Sequence, residues 1–403
     1  MSFPSSCHEV DVPRLDRDAA VPLAVMKSGM QPFLIETSDE QLRDLQERLR
    51  RTRWPEAETV DDWSQGIPLT YVKELCDYWS ESYDWRKTEC RINALPQFTT
   101  EIDGLETHYI HVRSPHRDAL PLIITHGWPG SIVEFLKVIG PLTDPEAHGG
   151  DPSDAFDVVC PSLPGYGYSA KPTAVGWDVD RIGGAWVELM ARLGYTRYGA
   201  QGGDWGAMVT AAVGRQDVSH VAGIHLNMPF AGPTAQDLEN LTEAEQASLA
   251  ASAHYQRWES GYFKEQSTRP QTVGYGLVDS PVGQCAWIVE KFWAWTDCNG
   301  HPETIFTKDE LLDNVMLYWL PAAGASSARL YWQSRRTDME PVTVPTGCSI
   351  FPKEIVRPSR RWAATRFTDL RYWNELDRGG HFAAFEQPEL FVDELRSFFR
   401  LVR

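Results

Sequence analysis

Apolar positions in the first hundred residues recur at helical spacing. Ser38-Asp39-Glu40-Gln41 has the S-x-x-Q form of a capping box, and Leu42, Leu45 and Leu49 follow on one helical face. Trp54-Pro55 ends that helix. Arg48, Arg50, Arg51 and Arg53 near its end fit a solvated turn whose cations suit the negative pole of the helix dipole. A second helix is predicted over 70–80. From about residue 95 the pattern changes to short apolar runs, at 122–125, 157–160, 198–201 and 221–226, with helical patterns such as 182–193 between them. Ile102, Leu105, Tyr109 and Ile110 suggest further strands. Apolar strands alternating with helices predict an α/β chain with a mostly parallel sheet covered on both faces. The alternation breaks between 230 and 340, where 236–254 and 310–320 read as helices; strand-like runs return at 344–351 and 367–376, and a last helix covers 388–401. The division that follows is a loose extension over 1–30, a helical arm over 31–95, a first part of the core over 96–229, a helical cap over 230–340 and a second part of the core over 341–403. No internal repeat or low-complexity tract is visible.

Composition narrows the class. With 42% apolar and 23% charged residues over 403 positions, the chain is long enough for two or three units and is neither disordered nor fibrous. Its 56 acidic against 38 basic side chains give a formal charge of −18, which argues against nucleic-acid binding through a general basic field. The run 20–26 is broken by Pro22 and is too short for a membrane span or a signal core, so the expectation is a soluble, cytoplasmic protein without membrane attachment. Seven cysteines without a C-x-x-C suggest neither a disulfide framework nor a zinc site. The 16 Trp, 14 Tyr and 16 Phe would suit a large apolar ligand pocket.

The sharpest local feature is Gly202-Gly203-Asp204-Trp205-Gly206, between the 198–201 run and a helical stretch. This is the strand–turn–helix setting of a nucleophile elbow, with Asp204 where serine is common; taken alone, Asp204 reads more readily as a helix N-cap. An aspartate, with an unperturbed pKa of about 3.9, is already ionised and needs no base to displace a leaving group at sp³ carbon. The alkyl ester so formed must then be hydrolysed, which requires a general base and an oxyanion hole. His381, in Arg378-Gly379-Gly380-His381-Phe382 before the last helix, supplies the base in the chain order nucleophile, acid, histidine. Its orienting acid should follow the preceding strand, where Glu354 stands just past an apolar run; Asp338, Glu340 and Asp369 are rivals. His126-Gly127-Trp128-Pro129-Gly130 follows the 122–125 run, so the backbone N–H groups of Trp128 and Trp205 are the candidate oxyanion donors. His126 itself reads as a loop brace.

These motifs together resemble a microsomal-type epoxide hydrolase over residues from about 30 to the C-terminus. Arg53-Trp54-Pro55 and Tyr83-Asp84-Trp85-Arg86 resemble the family's N-terminal arm. His126-Gly127-Trp128-Pro129-Gly130-Ser131, Gly203-Asp204-Trp205-Gly206, Pro345-Thr346-Gly347, Phe351-Pro352-Lys353-Glu354 and Arg378-Gly379-Gly380-His381-Phe382 resemble its active-site motifs. The resemblance implies an α/β-hydrolase fold with a helical cap and an N-terminal arm. It implies Asp204 as nucleophile, His381 as base and Glu354, 27 residues earlier, as its acid. It further implies that Tyr262 and Tyr331, in the cap, hold the epoxide oxygen; Tyr255, Tyr275 and Tyr318 are the alternatives. No metal or organic cofactor is expected. The expected partners are a bulky or aryl epoxide and water, with a homodimer as a guess. A haloalkane dehalogenase, using the same ester chemistry, and a non-catalytic ligand receptor on the same fold are the competing readings.

Overall fold

The computed structural model describes residues 29–335 and 339–403. The extension expected over 1–30 lies outside them except for Gly29 and Met30, and Asp338 lies outside them too. Met30 departs from the expectation: it is buried and opens a short strand, β1 (Met30–Pro32), paired with Thr100. The other strands are β2 (Gln97–Ile102), β3 (Leu105–Val112), β4 (Leu120–Thr125), β5 (Phe156–Pro161), β6 (Tyr198–Gly202), β7 (Val221–Leu226), β8 (Thr346–Ile350) and β9 (Leu370–Glu375). They form one sheet in the order β1-β2-β3-β5-β4-β6-β7-β8-β9. Pairings from β1 to β5 are antiparallel and all those from β5 to β9 are parallel. Every residue of β6, β7 and β8 is buried, as expected for parallel strands covered on both faces. The loops at the carboxyl ends of β4, β6 and β8 therefore meet at one edge of the sheet, where ligands bind in open α/β sheets.

Two element boundaries differ from expectation for local reasons. The helix expected over 236–254 begins at Glu243, because Thr242 and Glu245 form a reciprocal capping box that fixes its start. The strand expected over 367–376 starts only at Leu370, after helix Arg360–Arg366 and a turn in which Asp369 pairs with Arg371.

The cap comprises helices Glu243–His254, Gly261–Thr268, Pro270–Asp279, Pro281–Ala294, Lys308–Trp319 and Gly324–Gln333, with a π-helical turn at Tyr255–Glu259. The arm comprises Asp39–Arg50, Leu69–Glu81 and Trp85–Asn93. Arg48, with its side chain 38% exposed, keeps contact with solvent as expected but is also engaged by the cap. It bonds Asp44 and Asp279, and its guanidinium lies 5.8 Å from the Trp319 ring, so it joins arm to cap. A buried cap carboxylate, Asp313, does the same from the other side, accepting from Tyr83 Oη at 2.8 Å, Thr88 Oγ1 at 2.6 Å and Arg91 at 2.9 Å. Cys76, Cys160, Cys285, Cys298 and Cys348 are buried free thiols. Among the described residues no helix is long and apolar enough to cross a membrane.

Candidate active site

The turn after β6 is forced by its glycines. A Cβ on Gly202 would overlap the Gly206 carbonyl, and one on Gly206 would overlap the Thr125 carbonyl at the end of β4. Asp204 at the apex has φ 48°, a left-handed conformation costing a non-glycine residue about 1–3 kcal/mol. The helix it leads is Asp204–Gln216, but the capping position belongs to Gly203 and no side chain caps it. The Asp204 carboxylate is thus free of the capping role. Its Oδ1 accepts the backbone N–H of Trp128 at 2.7 Å, and the N–H of Trp205 also supports the carboxylate. Oδ2 lies 3.6 Å from Nε2 of His381. Both expected oxyanion donors therefore converge on the expected nucleophile.

His381 follows β9, with its backbone N–H donated to the Trp295 carbonyl at 2.9 Å. Its Nδ1 is 2.7 Å from Oε1 of Glu354, and both side chains are buried. The rival acids stand elsewhere: Asp369 pairs with Arg371, and Glu340 is exposed. Burial disfavours a charged imidazole at His381, but Glu354, Asp204 and Glu134 together outweigh it and lift its pKa to about 9. Burial also raises the pKa of Asp204, opposed by His381 and the two backbone donors.

The cap closes over this pair with aromatic rings. Tyr262 stacks on Trp128 at 4.9 Å and 9°, while Tyr331 stands edge-on to Trp205 at 4.8 Å and to Trp128 at 5.8 Å. The Tyr331 hydroxyl is buried without a hydrogen-bond partner, and the Tyr262 hydroxyl meets Tyr255 at 2.6 Å. Burial keeps both phenols protonated. Of the alternative tyrosines, Tyr275 is 71% exposed and Tyr318 donates to the Gly130 carbonyl, bracing the oxyanion loop. Ser131 and the Pro129 carbonyl are held by Asn314, next to Asp313 on the same helix. His126 is the brace expected: Nε2 accepts from Leu163 N–H, and burial lowers its pKa to about 4.

Three site residues escaped the sequence reading. Trp295 contacts the His381 ring at 4.9 Å from the C-terminal end of a cap helix. Glu386 is buried and accepts the N–H groups of Phe382 and Asp297, anchoring the histidine loop. Glu134 is buried beside the oxyanion loop. The available signal for Glu134 was its place inside the apolar run Ile132-Val133-Glu134-Phe135, where a surface carboxylate is out of place. Burial lifts both glutamates to about 8.

These shifts predict that stability peaks near pH 6.5. Burial lowers His108, His111 and His225 to about 3 and His126 to about 4, so each loses stability as pH falls below the unfolded value of about 6.5. Glu134, Glu386, Asp313, raised to about 6 by burial, and Asp204, also raised by burial, act oppositely there, while Glu245, lowered to about 2 by its hydrogen bond to Arg361, and Glu74, lowered by Lys308, side with the histidines and keep the acid limb falling. Above pH 6.5 the sign reverses: His381, raised in the fold, and the two glutamates lose stability as pH climbs toward 8–9. A melting-temperature series from pH 4.5 to 9 should be dome-shaped; a monotonic profile would contradict these assignments.

Comparison with known proteins gives the family. A family model described as Epoxide hydrolase N terminus matches residues 30–135, and one described as alpha/beta hydrolase fold matches 121–278. A relative from Stigmatella aurantiaca is 53% identical over 93% of this chain and 86% of its own. Epoxide hydrolase 1 of Oryctolagus cuniculus is 36% identical over 94% of this chain and 91% of its own. The structure of Aspergillus niger epoxide hydrolase superposes with a TM-score of 0.84 at 32% identity, covering 93% of this chain and 96% of that one. The elbow aspartate, the capped α/β sheet and the N-terminal arm are those of a family, and the chain belongs to it: the microsomal-type epoxide hydrolases.

Proposed function

We propose that the protein opens an epoxide to a vicinal diol in two steps through a covalent ester on Asp204. The observation that carries this is the division of labour on one carboxylate: Oδ1 accepts the Trp128 N–H, the Trp205 N–H also supports the group, and Oδ2 faces His381 beneath the two cap tyrosines. In the first step Oδ2 attacks an epoxide carbon, the C–O bond breaks, and the Tyr262 and Tyr331 hydroxyls stabilise the departing oxygen, which takes up a proton. Tyr331, with an unpartnered buried hydroxyl, is a pre-set donor. In the second step His381 removes a proton from water, which adds to the ester carbonyl carbon while the two backbone N–H groups hold the oxyanion. Collapse of that intermediate expels the second alkoxide, which takes the proton from His381 and leaves as diol, and the acid left on Asp204 gives up its proton to solvent, balancing the proton taken up in the first step and restoring the carboxylate.

The two steps are linked electrostatically. The Asp204 anion is one of the charges that keep His381 protonated, and esterification removes it, so His381 is eased toward the neutral form required of a base. Glu354 holds the Nδ1 proton and leaves Nε2 facing the ester.

The decisive experiment is repeated turnover of styrene oxide in ¹⁸O-water with mass spectrometry of the peptide containing Asp204. Label in that carboxylate is the expected result; diol with an unlabelled Asp204 would mean that water attacks the ring directly. The haloalkane dehalogenase reading predicts halide from a chloroalkane, which we expect to be absent, because the leaving-group side presents phenol hydroxyls. Tight epoxide binding without diol would favour a receptor. Tyr331→Phe and Tyr262→Phe should each slow ester formation about 10–100-fold, and the double variant about 10³-fold or more, with hydrolysis of any ester formed much less affected. Rapid-quench kinetics separates the two steps.

A further inference from the structure

A small cavity of about 20 Å³ lies behind Asp204, lined among others by Glu134, Gln201, Asp204, His381 and Phe382. Roughly 10–15 Å³ of such space is enough for one water, provided polar partners surround it. They do: Oε1 of Glu134 and Oε1 of Gln201 are both buried without a hydrogen-bond partner. Gln201 is fixed by its amide donation to Asn227 at 3.0 Å, and the Glu134 carboxyl is supported by the backbone N–H of Ser131. Room for the Glu134 carboxyl is made by its neighbour in the oxyanion loop: a Cβ on Gly130 would overlap Oε1 of Glu134. A buried carboxyl with an orphan oxygen costs stability unless something bonds it.

We propose that Glu134 is a positioning residue for the hydrolytic step, its carboxyl holding the attacking water in this cavity between His381 Nε2 and the Asp204 carboxyl carbon. The proposal rests on the two-step reading above. The protonated Glu134 carboxyl donates to the water oxygen, Gln201 Oε1 accepts one water hydrogen, and the other hydrogen passes to His381 as the water oxygen bonds the ester carbon. Glu134 itself neither gains nor loses a covalent bond to substrate. Burial, pushing its pKa to about 8, leaves it protonated at neutral pH, so it does not add a second negative charge beside the developing oxyanion.

The test is single-turnover rapid quench with styrene oxide on the full chain, comparing wild type, Glu134→Leu, Glu134→Gln and Gly130→Ala. Glu134→Leu should form the Asp204 ester at a rate within about 3-fold of wild type but hydrolyse it roughly 10–100-fold more slowly. Then kcat and KM fall together, kcat/KM holds, and the ester becomes the dominant enzyme form during turnover. Glu134→Gln, which can still bond a water, should recover most of the hydrolysis rate. Gly130→Ala, which displaces the carboxyl without deleting it, should resemble Glu134→Leu. Unchanged hydrolysis in Glu134→Leu, or a matched loss in both steps that Glu134→Gln does not rescue, would overturn the proposal. If the Leu variant fails to fold, unchanged hydrolysis in Gly130→Ala overturns it instead. Diol from wild type with no Asp204 ester at any quench time is a different failure, that of the two-step reading itself.

Discussion

Replacing His381 by glutamine leaves a protein that opens one epoxide per chain and then stops. Nothing in the first step as proposed requires the imidazole: there the Asp204 anion would attack, its Oδ1 held by backbone, with the tyrosines serving the leaving oxygen. The second step loses its base, and hydrolysis should fall by about 10³-fold or more, the upper part of the range for general-base catalysis. A stoichiometric burst should appear, followed by near silence, and intact-protein mass spectrometry should show the chain carrying one substrate equivalent. The result against this account is a His381→Gln enzyme that fails to form the ester at all. Because His381 is also a buried cation beside Glu354 and Asp204, its loss removes favourable charge contacts, and a melting curve should accompany the kinetics.

Asp204→Asn should abolish both steps. The amide keeps the size of the side chain and is among the residues that tolerate a left-handed backbone, so the elbow at φ 48° should survive. It is not a nucleophile toward an epoxide, and the fall in kcat/KM should be about 10⁴-fold or more, comparable to the loss of other enzymes' covalent nucleophiles. No substrate mass should attach to the protein. Asp204→Gly, equally inactive, should melt no lower than wild type, since glycine relieves the backbone strain that the nucleophile imposes. Residual diol in Asp204→Asn above a few thousandths of wild type would show that another group can start the reaction.

The parts of this site whose chemistry demands a particular residue type in a particular turn could be read from the chain. Asp204 stands between glycines at a strand–helix junction, and His381 lies in a loop before the last helix, so their meeting follows from a parallel sheet whose loops share an edge. Glu354 needed more: by position alone four acids fitted the chemistry, the family resemblance pointed to Glu354, and the fold places its Oε1 2.7 Å from Nδ1. The arm's role was legible only in part, because Arg48 and Asp313 acquire their partners across more than two hundred residues of sequence. Tyr255 reaches Tyr262 through a π-helical turn that changes the helical register locally, something no 3.6-residue periodicity reveals. Glu134 was missed because a lone glutamate between apolar residues carries no motif. Its burial depends on Gly130 yielding space, a property of folded backbones.

Trp128 has a consequence for how such an enzyme can change over time. Its main chain holds the nucleophile's oxygen, while its ring is the platform on which Tyr262 stacks and against which Tyr331 stands. Chemistry and substrate shape are thus written on the same residue. A smaller side chain there would admit larger epoxides but let the phenol donors drift and the oxyanion loop relax, so selection for new substrates is steered away from it. Phe263 offers an easier route. It touches Tyr331 edge-on at 5.4 Å, is 40% exposed, and bonds to nothing in the reacting centre. Libraries built at Phe263 should diversify enantiopreference at little catalytic loss, and those built at Trp128 should mostly yield slow enzymes.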